Sequence, residues 1–317
     1  MTAKQNSEQD TFSPIFLDRG VCPLCESPHY LKYIDFPDIP VLKCTDCGFI
    51  YSGKIMSHEK LELYYKENFG SDRHLKGQII NAKVNTTVLS RLLSLDGIES
   101  LLDVGCGYGF FLRSMLDKYK LKQVIGLELS EQEALHASQE LKLDVRNCSI
   151  DNSNLPECNF DLVTNFEVIE HTINPLEFLE SVASLVKPMG YLVVMTDNFE
   201  SRIATNMGSH FPKWIPHTHI SHFGPSSIIK GIEKMKNFKI QGYASFTPWE
   251  LELLNLKNII FKKEFGEYNL REVMKTEMDG AYKLFNIRLL LNEYWAKLTL
   301  KKDLNGALMY IVAQRLI

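Results

Sequence analysis

Three groups of residues in this chain have the types and spacings that do chemistry. The first is Asp103-Val-Gly-Cys-Gly-Tyr-Gly109, where an apolar run delivers an acidic residue into a loop with glycine at positions 105, 107 and 109. Glycine lets the backbone approach a ligand, and a helix expected from Phe110 to Lys118 would open with free N–H groups suited to an anion. Dinucleotide folds use GxGxxG, whereas GxGxG behind a carboxylate points to S-adenosylmethionine rather than NAD. The second group is Cys22-Pro-Leu-Cys25 and Cys44-Thr-Asp-Cys47, two CxxC knuckles separated by eighteen residues. Four thiolates so spaced suit a structural zinc ion, and Gly48 suits the turn behind the second knuckle. Disulfides are the alternative. The third group is His217, His219 and His222, three of nine histidines within six residues. One imidazole there could take a proton from a hydroxyl near neutral pH, with His219 first and His222 and His217 behind it. His171, beyond an expected fourth strand, is a further candidate. As a metal site the cluster has usable spacing but no carboxylate of its own.

These groups need a scaffold. Short apolar runs at 101–104, Gln123–Leu127, 143–145, Phe160–Phe166 and 191–198 alternate with helical stretches, the pattern of a parallel sheet with helices on both faces. Glu128, closing the second run, is placed to accept hydrogen bonds from ribose hydroxyls. Phe238–Phe246 and 307–313 read as a final antiparallel pair. Between them, 250–300 reads as largely helical, either packing on the core or a second subunit or shaping a pocket with Trp249, Tyr282 and Trp295. Ahead of the sheet, 30–36 and 39–43 read as the strands of a zinc ribbon that needs its metal to fold. Ser57 would cap a helix over 58–68, with Tyr64 and Tyr65 packed in the core or closing over the cofactor, and 70–76 would be a linker. Cys106, Cys148 and Cys158 read as packing residues.

The run 83–245 resembles the class I S-adenosylmethionine-dependent methyltransferases. It carries Asp103-Val-Gly-Cys-Gly-Tyr-Gly109, Glu128, an adenine-loop segment at Cys148, Ser149 and Ile150, and Glu167-Val-Ile-Glu-His171 after the fourth strand. The resemblance implies a Rossmann-like α/β fold with a seven-stranded sheet. It also implies a cofactor site of Asp103, Gly105, Gly107, Gly109, Glu128, Cys148, Ser149, Ile150 and Asn165. His217-Thr-His-Ile-Ser-His-Phe-Gly224 further resembles a segment of zinc-lobed sugar C-methyltransferases, which implies His219 as general base. The match departs at Pro216, where tyrosine is expected, and at Thr218, where glutamate is. The implied organisation is a disordered tail (1–12), a zinc-ribbon lobe (13–56) and a helical linker (57–82). The methyltransferase domain (83–317) follows, with its helical insertion at about 249–301.

Over 317 residues, 45 % hydrophobic and 23 % charged residues describe an ordinary globular protein, and a net charge of −4 gives no electrostatic reason for a nucleic-acid partner. No run approaches a membrane span, and the polar first ten residues lack a secretory core. The expectation is a cytoplasmic enzyme methylating a small molecule such as a sugar, nucleotide-sugar or secondary-metabolite intermediate. Its zinc would be structural, and its carboxyl-terminal helices would be the surface for self-association. The alternatives are RNA methylation, set against by Asn165-Phe-Glu-Val where a base-methylating motif would stand, and a non-catalytic S-adenosylmethionine-binding or zinc scaffold protein.

Overall fold

The computed structural model describes residues 16–68, 72–261 and 285–317. The expected tail at 1–12, the first two residues of the expected linker, the middle of the helical insertion and Tyr282 lie outside the described residues.

The chain opens with β1 (Leu17–Asp18), β2 (Tyr30–Ile34), β3 (Val41–Cys44), β4 (Ile50–Ser52) and β5 (Lys54–Ile55). Helices α1 (His58–Asn68) and α2 (Asp72–Leu92) follow. The alternating part then runs β6 (Ser100–Val104), α3 (Phe110–Lys118), β7 (Gln123–Leu127), α4 (Glu131–Gln139), β8 (Asp144–Arg146), β9 (Phe160–Phe166), α5 (Pro175–Ser184) and β10 (Val186–Asp197). Beyond it come α6 (Arg202–Met207), β11 (Ser221–His222), α7 (Pro225–Glu233), β12 (Phe238–Phe246), α8 (Trp249–Phe261), α9 (Phe285–Thr299) and β13 (Leu308–Arg315).

The main sheet has seven strands in the order β12-β13-β10-β9-β6-β7-β8. Strands β6 to β10 are parallel, and β13 lies antiparallel between β10 and β12. The central strands are buried along all (β6) or most (β9) of their length because helices cover both faces, so they read as largely apolar runs. The order reverses between β9 and β6, and at that crevice the strand ends open into a cavity.

The amino-terminal strands are not a free-standing ribbon. β2, β3 and β4 form an antiparallel sheet whose fourth strand is β11, pairing Ser221 with Tyr51 and His222 with Ile50. Leu42, Phe49 and Tyr51 belong to one apolar cluster with Phe223, Ile228 and Val194 of the main domain. The ring of Phe49 stands 5.1 Å from that of Phe223. The core therefore runs across the expected boundary at residue 56. The expected linker at 70–76 is also corrected: from Asp72 the chain is already the first turn of α2, which runs without a break through the expected 82–83 boundary. Its buried positions, Ile80, Val84 and Val88 among them, hold it against the sheet.

Helices α8 and α9 turn apolar side chains outward: Leu253, Leu256, Ile259 and Ile260 on one, and Ile287, Leu290, Leu291, Tyr294 and Leu298 on the other. No described helix is long and apolar enough to cross a membrane.

Candidate active site

A cavity of about 1090 Å³ opens over the carboxyl ends of β6, β7 and β9, under α1 and α2. At one end lie Asp103, Gly105, Gly107 and Glu128, with Cys148, Ser149 and Ile150 beside them. Asp103 is buried and accepts the Thr164 hydroxyl at 2.6 Å. Burial drives its pKa up to about 7 against that bond, and the nearby Glu128 adds to the rise. Glu128 accepts Gly107 N–H and Ser130 N–H, each at 2.8 Å. Those bonds use two of roughly four lone-pair sites, leaving the others for hydroxyl donors. Burial, then the charge of Glu133, pushes Glu128 up to about 7 as well.

The loop between Asp103 and α3 needs its glycines for different reasons. Gly107 has φ +55, and a Cβ there would stand 2.1 Å from the Gln78 amide oxygen. Gly109 caps α3 in a left-handed conformation, and a Cβ there would strike Ala137 and Leu143, so it packs toward α4 rather than lining the cavity.

At the other end stand His171, Lys213, Thr218 and His219, with Tyr64 and Tyr65 of α1 over them. His219 Nδ1 lies 3.6 Å from Asp197 Oδ2. Lys213 Nζ lies 3.2 Å from Asp197 and 3.1 Å from Glu167. Burial opposes the charge on Lys213, but those two carboxylates outweigh it and raise its pKa. Burial likewise opposes the charge on Glu167, and Lys213 outweighs it. Burial carries Asp197 up to about 6 even with Lys213 beside it. Burial, followed by His171 and Lys213, sends His219 well below the usual imidazole range, so the resting ring is neutral with a lone pair to offer. The hydroxyl of Tyr65 lies 2.8 Å from His171 Nδ1 and donates to Thr218 O at 3.3 Å.

Several expectations change here. Tyr64 and Tyr65 line the cavity as well as packing against the apolar cluster of Met56, Leu61 and Ile220. His222 does not reach the cavity. It sits in β11 with its ring 4.5 Å from Phe199 and 4.8 Å from Trp214, and burial holds it neutral with a pKa of about 3. His217 is fully buried, its ring 6.1 Å from Tyr64. Asn165 is buried in β9 and donates to Val104 O at 3.2 Å, tying two strands together rather than facing a ligand. Trp249 and Trp295 stand away from the cavity wall, Trp295 donating to Thr247 O at 2.8 Å.

The sequence reading also passed over residues that the fold brings in. Asp197 and Glu170 supply the carboxylates that the histidine segment lacks. Ligand-capable atoms of Glu170, His171 and His219 lie within 4.8 Å of one another, a spacing that a divalent cation could use. A carboxylate closing an apolar strand, Asp197 at the end of β10, was the available signal. Gln78 had none: it reaches from α2 to accept Tyr108 N–H at 2.8 Å and donates to Glu133 at 3.0 Å.

The four knuckle cysteines converge, Cys22 Sγ to Cys47 Sγ and Cys25 Sγ to Cys44 Sγ each at 3.6 Å. A tetrahedron of metal–sulfur bonds near 2.3 Å has edges of about 3.8 Å, so the donor set matches zinc. Burial pushes Cys22 and Cys47 upward, the latter to about 11. Burial also opposes the Cys44 thiolate, but backbone N–H groups of Cys47 and Asp46 bring it down to about 7. Deprotonating four sulfurs in one place calls for a cation.

Residues 74–239 match the profile of the methyltransferase-domain family, just over half of the chain. The chain belongs to that family. A mitochondrial ubiquinone biosynthesis O-methyltransferase of Dictyostelium discoideum is 32% identical over 151 residues, which are 42% of this chain and 46% of the relative. The ubiquinone biosynthesis O-methyltransferase of Cereibacter sphaeroides is 35% identical over 115 residues, 35% of this chain and 45% of its own. The chain thus spans about half the length of the curated relatives it matches. Among solved structures, a chain of the complex between the Haloferax volcanii Trm112 methyltransferase activator and a methyltransferase superposes with TM-score 0.52 at 16% identity, covering 81% of this chain and 98% of that one. A Thermotoga maritima S-adenosylmethionine-dependent methyltransferase gives TM-score 0.50 at 16% identity, covering 81% and 95%. At such identities the likeness concerns the fold.

Proposed function

We propose that this protein transfers a methyl group from S-adenosylmethionine to a hydroxyl of a small-molecule acceptor. Zinc would brace its amino-terminal lobe. The observation that carries the reading is a single cavity lined by Asp103, Glu128 and His219, the last with its Nδ1 3.6 Å from buried Asp197. Family membership and the O-methyltransferase relatives support the same direction. A sugar is one member of the acceptor class; the phenolic acceptors suggested by the relatives' names are another.

Asp103, Gly105 and Gly107 would hold the amino-acid part of the cofactor, Glu128 the ribose, and Cys148, Ser149 and Ile150 the adenine edge. S-adenosylmethionine supplies a methyl group already activated on a sulfonium, so the protein's task is mainly alignment. With Nδ1 turned to Asp197, His219 has Nε2 left for the acceptor's hydroxyl proton. Asp197 would then stabilise the imidazolium that forms. Lys213 and Glu167 hold Asp197 in place, and Tyr65 does the same for His171. If Glu170, His171 and His219 held a divalent cation instead, its acidification of the hydroxyl would replace the histidine base.

The test uses methyl-labelled S-adenosylmethionine and cell extract, fractionated into small molecules, RNA and protein. Label should enter the small-molecule fraction, and His219→Ala should lower it about 100-fold or more while binding of S-adenosylhomocysteine is retained. Label in RNA would instead favour the nucleic-acid reading. Binding without label would favour a non-catalytic role, and undiminished transfer by His219→Ala would remove the histidine base.

A further inference from the structure

Arg19 is a guanidinium taken into the interior, 8 % exposed, just after β1. A buried cation is costly unless its donors are used, and a planar fork can serve two acceptors at once. Nη1 donates to Ile220 O at 3.0 Å, and Nη2 donates to Ile173 O. Ile220 follows His219 directly, and Ile173 stands two residues past His171. One side chain therefore ties together the two loops that carry the cavity's histidines.

The anchor of that fork is the amino-terminal lobe. Arg19 N–H donates to Gly53 O at 2.8 Å, and its guanidinium stands 5.8 Å from the centre of the Tyr51 ring. Ser52 works on the same segment from β4. Its N–H donates to Ile220 O at 3.1 Å, and its fully buried hydroxyl donates to Pro216 O at 2.8 Å. Ile220 N–H in turn goes to Glu170 O at 2.9 Å, closing the link to the other loop. Strand β4 begins three residues after Cys47, so the tetracysteine centre and the histidine segment share one small sheet.

We propose that Arg19, with Ser52 beside it, is a positioning residue for the His171–His219 pair, so that the tetracysteine lobe sets the geometry of the acceptor end. This rests on the reading of those histidines as the acceptor end. Packing alone would need only an apolar contact between lobe and domain, and the Phe49–Phe223 contact supplies it. Two carbonyls from separate loops meeting one rigid fork fix a distance.

The experiment compares the zinc-loaded 317-residue chain with Arg19→Ala and Arg19→Lys, each labelled with nitrogen-15 at histidine. Arg19→Ala should shift or broaden the ring signals of His171 and His219, while exposed His29 within the lobe keeps its own. Label transfer into extract should fall about 10–100-fold, the scale on which small misplacements act. S-adenosylhomocysteine affinity and zinc content should hold. Added guanidinium should restore part of the signal positions and of the transfer to Arg19→Ala, and Arg19→Lys should recover little. A merely structural role would lower zinc content and cofactor affinity together, with no rescue, and would overturn the proposal. So would unmoved ring signals. Signals that move while transfer stays unchanged would overturn the acceptor-end reading itself, and the proposal with it. If Arg19→Ala does not fold, Ser52→Ala carries the test: the His219 signal should move and the His171 signal stay.

Discussion

Glu128 meets two demands that oppose each other in the ligand-free protein. In the proposed cofactor site it would receive ribose hydroxyls as a carboxylate, but burial raises its pKa to about 7, so near neutrality much of it is protonated. Ligand binding should therefore drive a proton off. The sign follows: S-adenosylhomocysteine affinity should rise as pH increases through about 7 and level above it, with proton release seen by calorimetry in buffers of different ionisation enthalpy. Glu128→Gln cannot titrate and should flatten the part of the profile that Glu128 contributes; Glu128→Ala should cost roughly 1–3 kcal/mol of affinity at pH 8. A profile unchanged by Glu128→Gln would take Glu128 out of the cofactor site. Residues of this kind are legible in a sequence because a carboxylate ending an apolar strand has few other uses. The pairing of Lys213 with Asp197 was not, since it is made across sixteen residues of chain that only the fold brings together. Asn165 illustrates the converse: its place in a motif suggested a ligand, but its side chain serves the strand beside it.

Several elements were read nearly to their ends, though β10 begins five residues before its expected run and the start of α2 was read as a linker. Strand β12 occupies 238–246 as its alternating residues suggest, and β6, β7 and β9 follow their apolar runs. What escaped was partnership between elements. Two residues of β11 are too short a run to announce a strand, yet they join the amino-terminal sheet to the main domain. Helix α9 shows the limit from the other side. Its inward positions, Asn292 and Ala296, are buried, while Ile287, Leu290, Leu291, Tyr294 and Leu298 form an outward stripe at helical spacing, Leu290 being 70 % exposed. A continuous apolar stripe is a surface suited to association, and we propose a second copy of the chain as its occupant. Sedimentation should show a concentration-dependent increase in mass, and Leu290→Glu with Leu298→Glu should abolish it without altering S-adenosylhomocysteine affinity. A monomeric mass at every concentration would sink this expectation.

On the scale of the whole molecule, the lobe and the domain share a core, and this changes what the metal should do. A small ribbon standing alone would unfold by itself when its zinc was removed, leaving the rest intact. Here Leu42, Phe49 and Tyr51 pack into the cluster that contains Val194 and Ile228, and Lys234 of the main domain donates to Leu24 O at 3.0 Å. Loss of the lobe would expose part of the domain's own core and release the segment that carries His219. Thermal unfolding of the zinc-loaded protein should accordingly be a single transition. Chelation, or Cys25→Ser, should move that transition down as a unit, on the order of 10 °C for a loss of roughly 3–5 kcal/mol at about 2–4 °C per kcal/mol. Calorimetry distinguishes the outcomes directly. A separate low-temperature transition for the lobe would mean that the shared core is thermodynamically minor and that lobe and domain are independent. A midpoint unmoved by chelation, in protein shown to have lost its zinc, would mean that apolar packing holds the lobe without the ion. A lowered single transition would make the tetracysteine centre a determinant of the whole fold, and through β4 and β11, of the shape of the cavity.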